Sequence, residues 1–310
     1  MNSQANAVTE ARVGSQARAP AAIPASRLLY WSVRREFWEN RWLYLAPLAV
    51  AGLFLLGFLI SLLHLPGRMR AAMALDPMQQ YNVIAQPYDI AGGLMMITAM
   101  LVGAFYCLDS LYGERRDRSI LFWKSLPVSD VITVLAKASI PLVILPLLVF
   151  AIAVGMELIV VLMSSAVLLA KGIGAGMLWS HLSLPQVWWL LLYHIVTVHT
   201  LGPAPLYAWL MLVSAWARRA PFLWALLPPI AVGGLEKLVF NTTYFANIIA
   251  NRLTGGGTEA VTPPDSFPTH PMTHLTPGIF LSSPGLWIGL LITAAFLIGA
   301  IRLRRHRGPI

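Results

Sequence analysis

Charge is what this chain has least of: Asp, Glu, Lys and Arg make up 11% of its 310 residues, less than half the share of an average soluble domain. With 57% hydrophobic residues and a mean hydropathy of +0.68, that shortage excludes an ordinary soluble globule and leaves no room for a large soluble enzyme domain. Cysteine is nearly absent too. The lone Cys107 forbids an internal disulfide, so helix packing has to hold the fold. No G-x-x-x-x-G-K-[ST] phosphate loop occurs, and GIGAG at 172–176 lacks the lysine that such a loop needs. A serine nucleophile elbow and a carboxylate pair within one apolar run are also missing, which removes the usual machinery of an intramembrane hydrolase.

Apolar sequence is plentiful, in runs near the ~20 residues that cross a hydrocarbon core of ~30 Å. The pattern predicts an all-α, polytopic membrane protein with six transmembrane helices, over about 42–63, 90–111, 131–170, 187–216, 221–235 and 284–301. Residues 1–25, rich in Ala, Ser, Gln and Pro and without the apolar core of a cleaved signal peptide, read as a disordered tail. Over 26–41, Leu29, Val33 and Phe37 recur at four-residue spacing while Arg34, Arg35, Glu36, Glu39 and Arg41 fill other faces. That is an amphipathic helix suited to the membrane interface.

Run 131–170 is about twice as long as one crossing requires, and Pro141 and Pro146 are its candidate break points. In the second span Gly92, Gly93 and Gly103 invite neighbouring helices to approach closely. A long segment, 236–283, begins amphipathic and ends rich in Gly, Pro and Thr. Six crossings place 17 of the 22 Lys and Arg on one side of the membrane and five on the other. Positive charge concentrates in cytoplasmic loops, so both termini are expected in the cytoplasm. The net charge of +9 is thereby explained by topology and lipid headgroups, without nucleic acid.

The most informative stretch is YGERRDRSILFWKSLPVSD, residues 112–130. Its charged residues surround Ile120, Leu121, Phe122 and Trp123, more apolar surface than a solvated turn should expose. One reading is a cytoplasmic loop with its aromatics resting on the bilayer; the other is a short docking helix for a soluble partner. Ser129 or Asp130 can cap the helix that follows.

The succession of amphipathic helix, two spans, the run GERRDRSILFWKSLPVSD, three spans, a long external segment and a last span resembles the permease subunit of bacterial type-2 ATP-binding-cassette (ABC) transporters. The resemblance covers nearly the whole chain after residue 25. It implies that 26–41 is the connecting helix and that 112–130 is the cytoplasmic coupling segment between the second and third spans. There Glu114, Arg115, Arg116, Asp117, Arg118, Leu121, Phe122, Trp123 and Lys124 would meet the ATPase. It also implies two copies of a separate ABC ATPase subunit that bind ATP and Mg, and a second permease copy in a homodimer or heterodimer. The chain itself would be a transport subunit of the bacterial inner membrane, without an ATPase site or cofactor of its own. Residues 236–253 would fold back as a re-entrant segment.

Within the spans, Glu157 is the one acid well inside an apolar run and a default candidate for the substrate path. The plainer reading puts it near the external interface, bonded to a neighbouring helix. Pro203 and Pro205, which interrupt the fourth span, are the other path candidates. Glu236 and Lys237 read as an interfacial anchor or ion pair. His194 and His199, five apart, fall on different faces of an α-helix, and His270 and His274 sit among prolines, so no metal is assigned. Tryptophans at 179, 188, 189, 209, 216 and 224 fit interfacial belts or packing. Two rival functions remain: an ATP-independent carrier or channel, and a membrane scaffold for a soluble partner. The apolar interior is compatible with lipids, peptides, drugs or glycoconjugates.

Overall fold

The structure is a computed structural model and describes residues 24–125, 128–174, 176–181, 183–254, 277–308 and 310. The expected tail over 1–25, apart from its last two residues, lies outside the described residues; so do 255–276 of the expected external loop, with both of its histidines. Among the described residues the chain is all-helical, with no strand. An amphipathic helix, α1 (Ala25–Glu39), leads into α2 (Trp42–Ser61), which continues through a 3-10 turn into α3 (Leu65–Ala72). The long α4 (Pro77–Ser110) is followed by the short pair α5 (Tyr112–Arg116) and α6 (Ser119–Ser125). Then come α7 (Asp130–Ser139), a π-helical turn (Ile140–Ile144), α8 (Leu145–Ala170), α9 (Gly176–His181), α10 (Leu184–His194), a second π segment (Ile195–Leu201) and α11 (Ala204–Trp216). The chain closes with α12 (Pro221–Phe240), α13 (Tyr244–Thr254), α14 (Pro277–Ser282) and α15 (Pro284–His306).

Five helical stretches are long and apolar enough to cross a membrane: Trp42–Ala72, Gln79–Arg116, Asp130–Ala170, Pro221–Phe240 and Pro284–His306. A sixth crossing results if Leu184–Leu201 and Ala204–Trp216, bent by 42° at their junction, form one span. A multi-pass membrane protein follows from this inventory.

Several boundaries differ from the sequence expectation, each for a physical reason. The second crossing starts about a dozen residues early because Pro87 is carried inside α4; buried Ile84, Ala85, Tyr88 and Ala91 pack on both sides of it. Pro141 does not break the third segment. It falls in the π turn, whose wider winding takes up the missing N–H while the helix runs on. The fifth span reaches Phe240, with Pro228 and Pro229 inside α12.

Packing forms four clusters, three of them strung along the bundle and a fourth, of Leu108, Val213, Ala217 and Ala225, where α11 gives way to α12. At the end that carries α1 and the last residues, here the near end, Leu43, Tyr106, Cys107, Val134, Tyr207, Met211 and Ala300 come together. In the middle Met95, Leu145, Val149, Met156 and Leu191 meet, and at the far end Phe58, Met69, Tyr88, Val161 and Leu184 do so. Gly103 permits a close approach, since a Cβ there would lie 3.3 Å from Tyr207 Cε1 and 3.5 Å from Leu145 Cδ2. At Gly93 the same addition meets open space. The helix-dense arrangement is therefore pinned at Gly103 and not at Gly93.

Candidate coupling site

Residues 112–130 form two short helices instead of one. Arg118 takes up a left-handed backbone conformation (φ 57°) that ends α5 and turns the chain into α6. The Ser214 hydroxyl on α11 accepts hydrogen bonds from the backbone N–H groups of Leu111 (3.1 Å) and Tyr112 (2.8 Å). These bonds fix the start of α5 where an isolated helix leaves its first N–H groups unpaired. Ser129 caps α7 by accepting from the Ile132 N–H, while Asp130 faces another partner described below.

Behind these helices lies a cluster of ionised side chains that three distant parts of the chain bring together. Lys137 of α7 sits 2.9 Å from the Glu36 carboxylate of α1 and 3.2 Å from that of Glu114 on α5. Arg304 of α15 pairs with the other Glu114 oxygen at 3.1 Å and closely with Asp130. Arg35 completes the group, 2.7 Å from Glu36. Tyr106 of α4 donates to the second Glu36 oxygen at 2.9 Å. Three carboxylates thus face three cations, and Glu36, Lys137 and Arg304 are each at most 3% exposed.

Burial of this kind is tolerable only because each charge is matched, since an uncompensated ion in this setting costs several kcal/mol. Burial works to raise the Glu36 pKa, but Lys137 and Arg35 outweigh it and hold the carboxyl below its ordinary 4.5. At the half-exposed Glu39 next to this cluster burial prevails, and its carboxyl is raised. The network joins α1, α4, α5, α7 and α15 into one unit at the near end.

The residues expected to meet an ATPase divide into two groups. Glu114 and Arg115 are buried at 8% and 4% exposure. Glu114 is spent on the ion network. Arg115 donates to the carbonyls of Ala215 (2.8 Å), Ala217 (3.0 Å) and Gly308 (3.4 Å). Both lie behind the outer face and hold the segment in place from there. Lys124 bends back to the carbonyls of Arg305 and Arg307, and Trp123 lies under the Arg35 guanidinium at 3.8 Å. What remains outward is Arg116, Asp117, Arg118, Leu121 and Phe122. Ile120 is the inward anchor at 1% exposure, whereas Leu121 and Phe122 are each 59% exposed.

No protein family, curated protein or solved structure matches this chain. Its own geometry is therefore what a functional reading has to stand on.

Glu157 lies in the interior. It is fully buried on α8, with one oxygen accepting from the Trp188 indole at 2.8 Å and the other without a hydrogen-bond partner among the described residues. Pro203 and Pro205 lie elsewhere, at the bend that opens α11. That bend is held by Arg252 of α13, which donates to the Gly202 carbonyl at 3.3 Å and to that of Gly285 on α15. The π winding over Ile195–Leu201 turns residues five apart toward one face, which changes the expectation that His194 and His199 diverge. Among the described residues no three His, Cys, Asp or Glu side chains converge as metal ligands.

Glu236 is not paired with Lys237. Its carboxylate accepts from Thr242 Oγ1 (2.8 Å) and from the backbone N–H groups of Tyr244 (2.6 Å) and Phe245 (2.8 Å). With Asn241 in the left-handed region (φ 53°), it caps α13 and folds that helix back after α12.

Sequence reasoning missed Glu36, Tyr106, Lys137 and Arg304 as site residues. A signal for one of them was present: Lys137 is a lone cation inside an apolar run, and such a group needs a carboxylate.

Proposed function

We propose that this chain is the membrane-spanning subunit of an ABC exporter, dimerising with a second permease copy to enclose the substrate path. A separate ATPase subunit, two copies per dimer, binds ATP and Mg and docks at the near end. The observation that carries this reading is the pairing of an exposed apolar step, Leu121 and Phe122 on α6, with a buried ion network directly behind it. A loop resting on lipid has no need of such a brace. A surface that receives force does, because displacement of α6 has to reach the membrane helices without being absorbed on the way. Through Arg35, Glu114 and Lys137 a push on α5 and α6 bears on α1 and α7. Through Arg304 it bears on α15.

In this reading ATP binding closes the two ATPases, and the rigid near end tilts the helices of each permease copy to alternate access to the path. Arg116 and Arg118 flank the apolar step and supply charge complementarity and on-rate. The test is co-purification with an ABC ATPase co-expressed with this chain from its source genome. Leu121→Ser combined with Phe122→Ser should abolish recovery of the ATPase while membrane insertion stays at the wild-type level. Trp123 is left intact because its ring is engaged with Arg35 within the chain. Undiminished recovery with the double variant would remove the docking role.

A further inference from the structure

The near end also carries a cleft that the docking face does not use. It measures about 530 Å³ and is lined by Arg115, Arg218, His306, Arg307, Gly308 and Ile310. Three of those six side chains are guanidinium groups, and among the described residues none of the three forms an ion pair with a carboxylate. The contrast with the neighbouring network is the informative point, since there every buried cation has its acid. Arg115 spends Nη1 on two carbonyls and Nε on a third, which leaves Nη2 without a hydrogen bond among the described residues. Arg307 is held by the Trp216 carbonyl, and the Ile310 N–H donates to the Arg115 carbonyl at 3.2 Å. Arg115 and Arg307 are thus anchored by backbone contacts, with Arg218 beside them in the same cleft, in spite of the mutual repulsion of the three cations. An anion placed between them would relieve it.

Depth decides what kind of anion. Arg115 lies at the end of the span Gln79–Arg116, Arg307 follows the end of Pro284–His306, and Arg218 is in the turn between α11 and the span Pro221–Phe240. All three therefore stand at or just beyond the ends of helices long and apolar enough to cross a membrane, a position that suits the headgroup level. Trp216 and Trp224 pack edge to face at 4.8 Å beside that turn, as interfacial aromatics do. Lipid phosphates occupy that level of a bilayer, and basic pockets between helices there hold anionic headgroups.

We propose that this cleft binds the phosphate headgroup of an anionic phospholipid, gripped by Arg115, Arg218 and Arg307. Because Arg115 belongs to α5, Arg307 to the end of the chain and Arg218 to the α11–α12 turn, the lipid would fasten these three segments on the side away from the ion network. This site does not depend on the transport reading.

The experiment uses the full-length protein in a neutral detergent, titrated with dioleoyl phosphatidylglycerol or dioleoyl phosphatidylcholine and read by native mass spectrometry. Phosphatidylglycerol should bind more tightly than phosphatidylcholine. Arg218→Gln, which removes an exposed side chain, should weaken phosphatidylglycerol binding about fivefold, from roughly 1 kcal/mol per interfacial cation. Arg219→Gln, next in sequence but outside the cleft lining, should change it less than about twofold because a diffuse surface charge is screened. If Arg218→Gln shifts the thermal midpoint without lipid, His306→Glu replaces it as the cleft variant and should lower phosphatidylglycerol binding by repulsion. Equal binding of the two lipids, or equal loss in the Arg218 and Arg219 variants, would overturn the site. Displacement of phosphatidylglycerol by inorganic phosphate at matching concentrations would overturn the lipid assignment in favour of a free phosphate anion.

Discussion

Lys137 is the residue on which the near end depends most. It faces Glu36 and Glu114 at once, and its removal leaves two buried carboxylates without their shared cation. Lys137→Met should therefore cost about 3–5 kcal/mol of stability in detergent, the usual penalty for stranding a buried charge. Adding Glu36→Gln to that variant should cost less than the sum of the two single changes by about 1–3 kcal/mol, because the second substitution removes a carboxylate that has already lost its Lys137 partner. Strict additivity in thermal or denaturant unfolding would show that the two side chains do not act on each other.

Glu36 also makes a prediction about acid. Its folded pKa lies below the ordinary 4.5, so the ionised form is favoured by folding. The resulting stability is fully present above pH 4.5 and is lost as pH falls through the lower folded value. Wild-type stability should consequently hold its Glu36 contribution from neutral pH down to about 4.5 and shed it below that. In Glu36→Gln the acid limb should be shallower. Unfolding midpoints measured from pH 7 to pH 3 check this, and an unchanged limb in the variant would count against the assignment.

At the scale of elements, much was legible in the sequence because hydropathy and helical periodicity act locally. Leu29, Val33 and Phe37 are the half-buried face of α1, as their spacing indicates, and Val33 and Phe37 pack into the near-end cluster. The break in residues 112–130 was not legible. It depends on Arg118 adopting a conformation that its residue type does not announce. Glu36 was placed among the solvated charges since nothing local distinguishes it from Glu39; only the arrival of Lys137, about a hundred residues later, does so. Pro141 was read as a break since proline removes a helix N–H, and the sequence carries no sign that π winding will absorb the loss.

Glycine spacing was similarly ambiguous, and the structure separates Gly103 from Gly93. Gly103→Val should push on Tyr207 and Leu145 and cost about 1–3 kcal/mol, as overpacking does. Gly93→Val meets open space and should stay within about 0.5 kcal/mol of wild type. Thermal unfolding of the two variants side by side provides the check. Equal effects would mean that α4 does not approach α8 and α11 as closely as described.

For the whole molecule, the near end gathers α1, the short pair α5 and α6, the ion network and the last residues of the chain. The far end carries the α12–α13 fold-back and the Arg252 clamp on the bend. In the proposed function the near end is the cytoplasmic one, which the 17-to-5 division of Lys and Arg supports. An ATPase reaching that end would meet α6 first. No described near-end segment is long or glycine-rich enough to cradle a nucleotide's phosphates. In the proposed function this chain transmits the work of ATP hydrolysis and does not perform it. The most direct measurement is ATP turnover in proteoliposomes that hold the chain alone, the co-expressed ABC ATPase with the wild-type chain, or the same ATPase with the Leu121→Ser, Phe122→Ser variant. The account predicts no turnover by the chain alone, turnover with the wild-type pair, and loss of the chain's influence on the ATPase in the variant. Hydrolysis by the lone chain, or an ATPase whose rate is the same with wild type, variant or no partner at all, would contradict it.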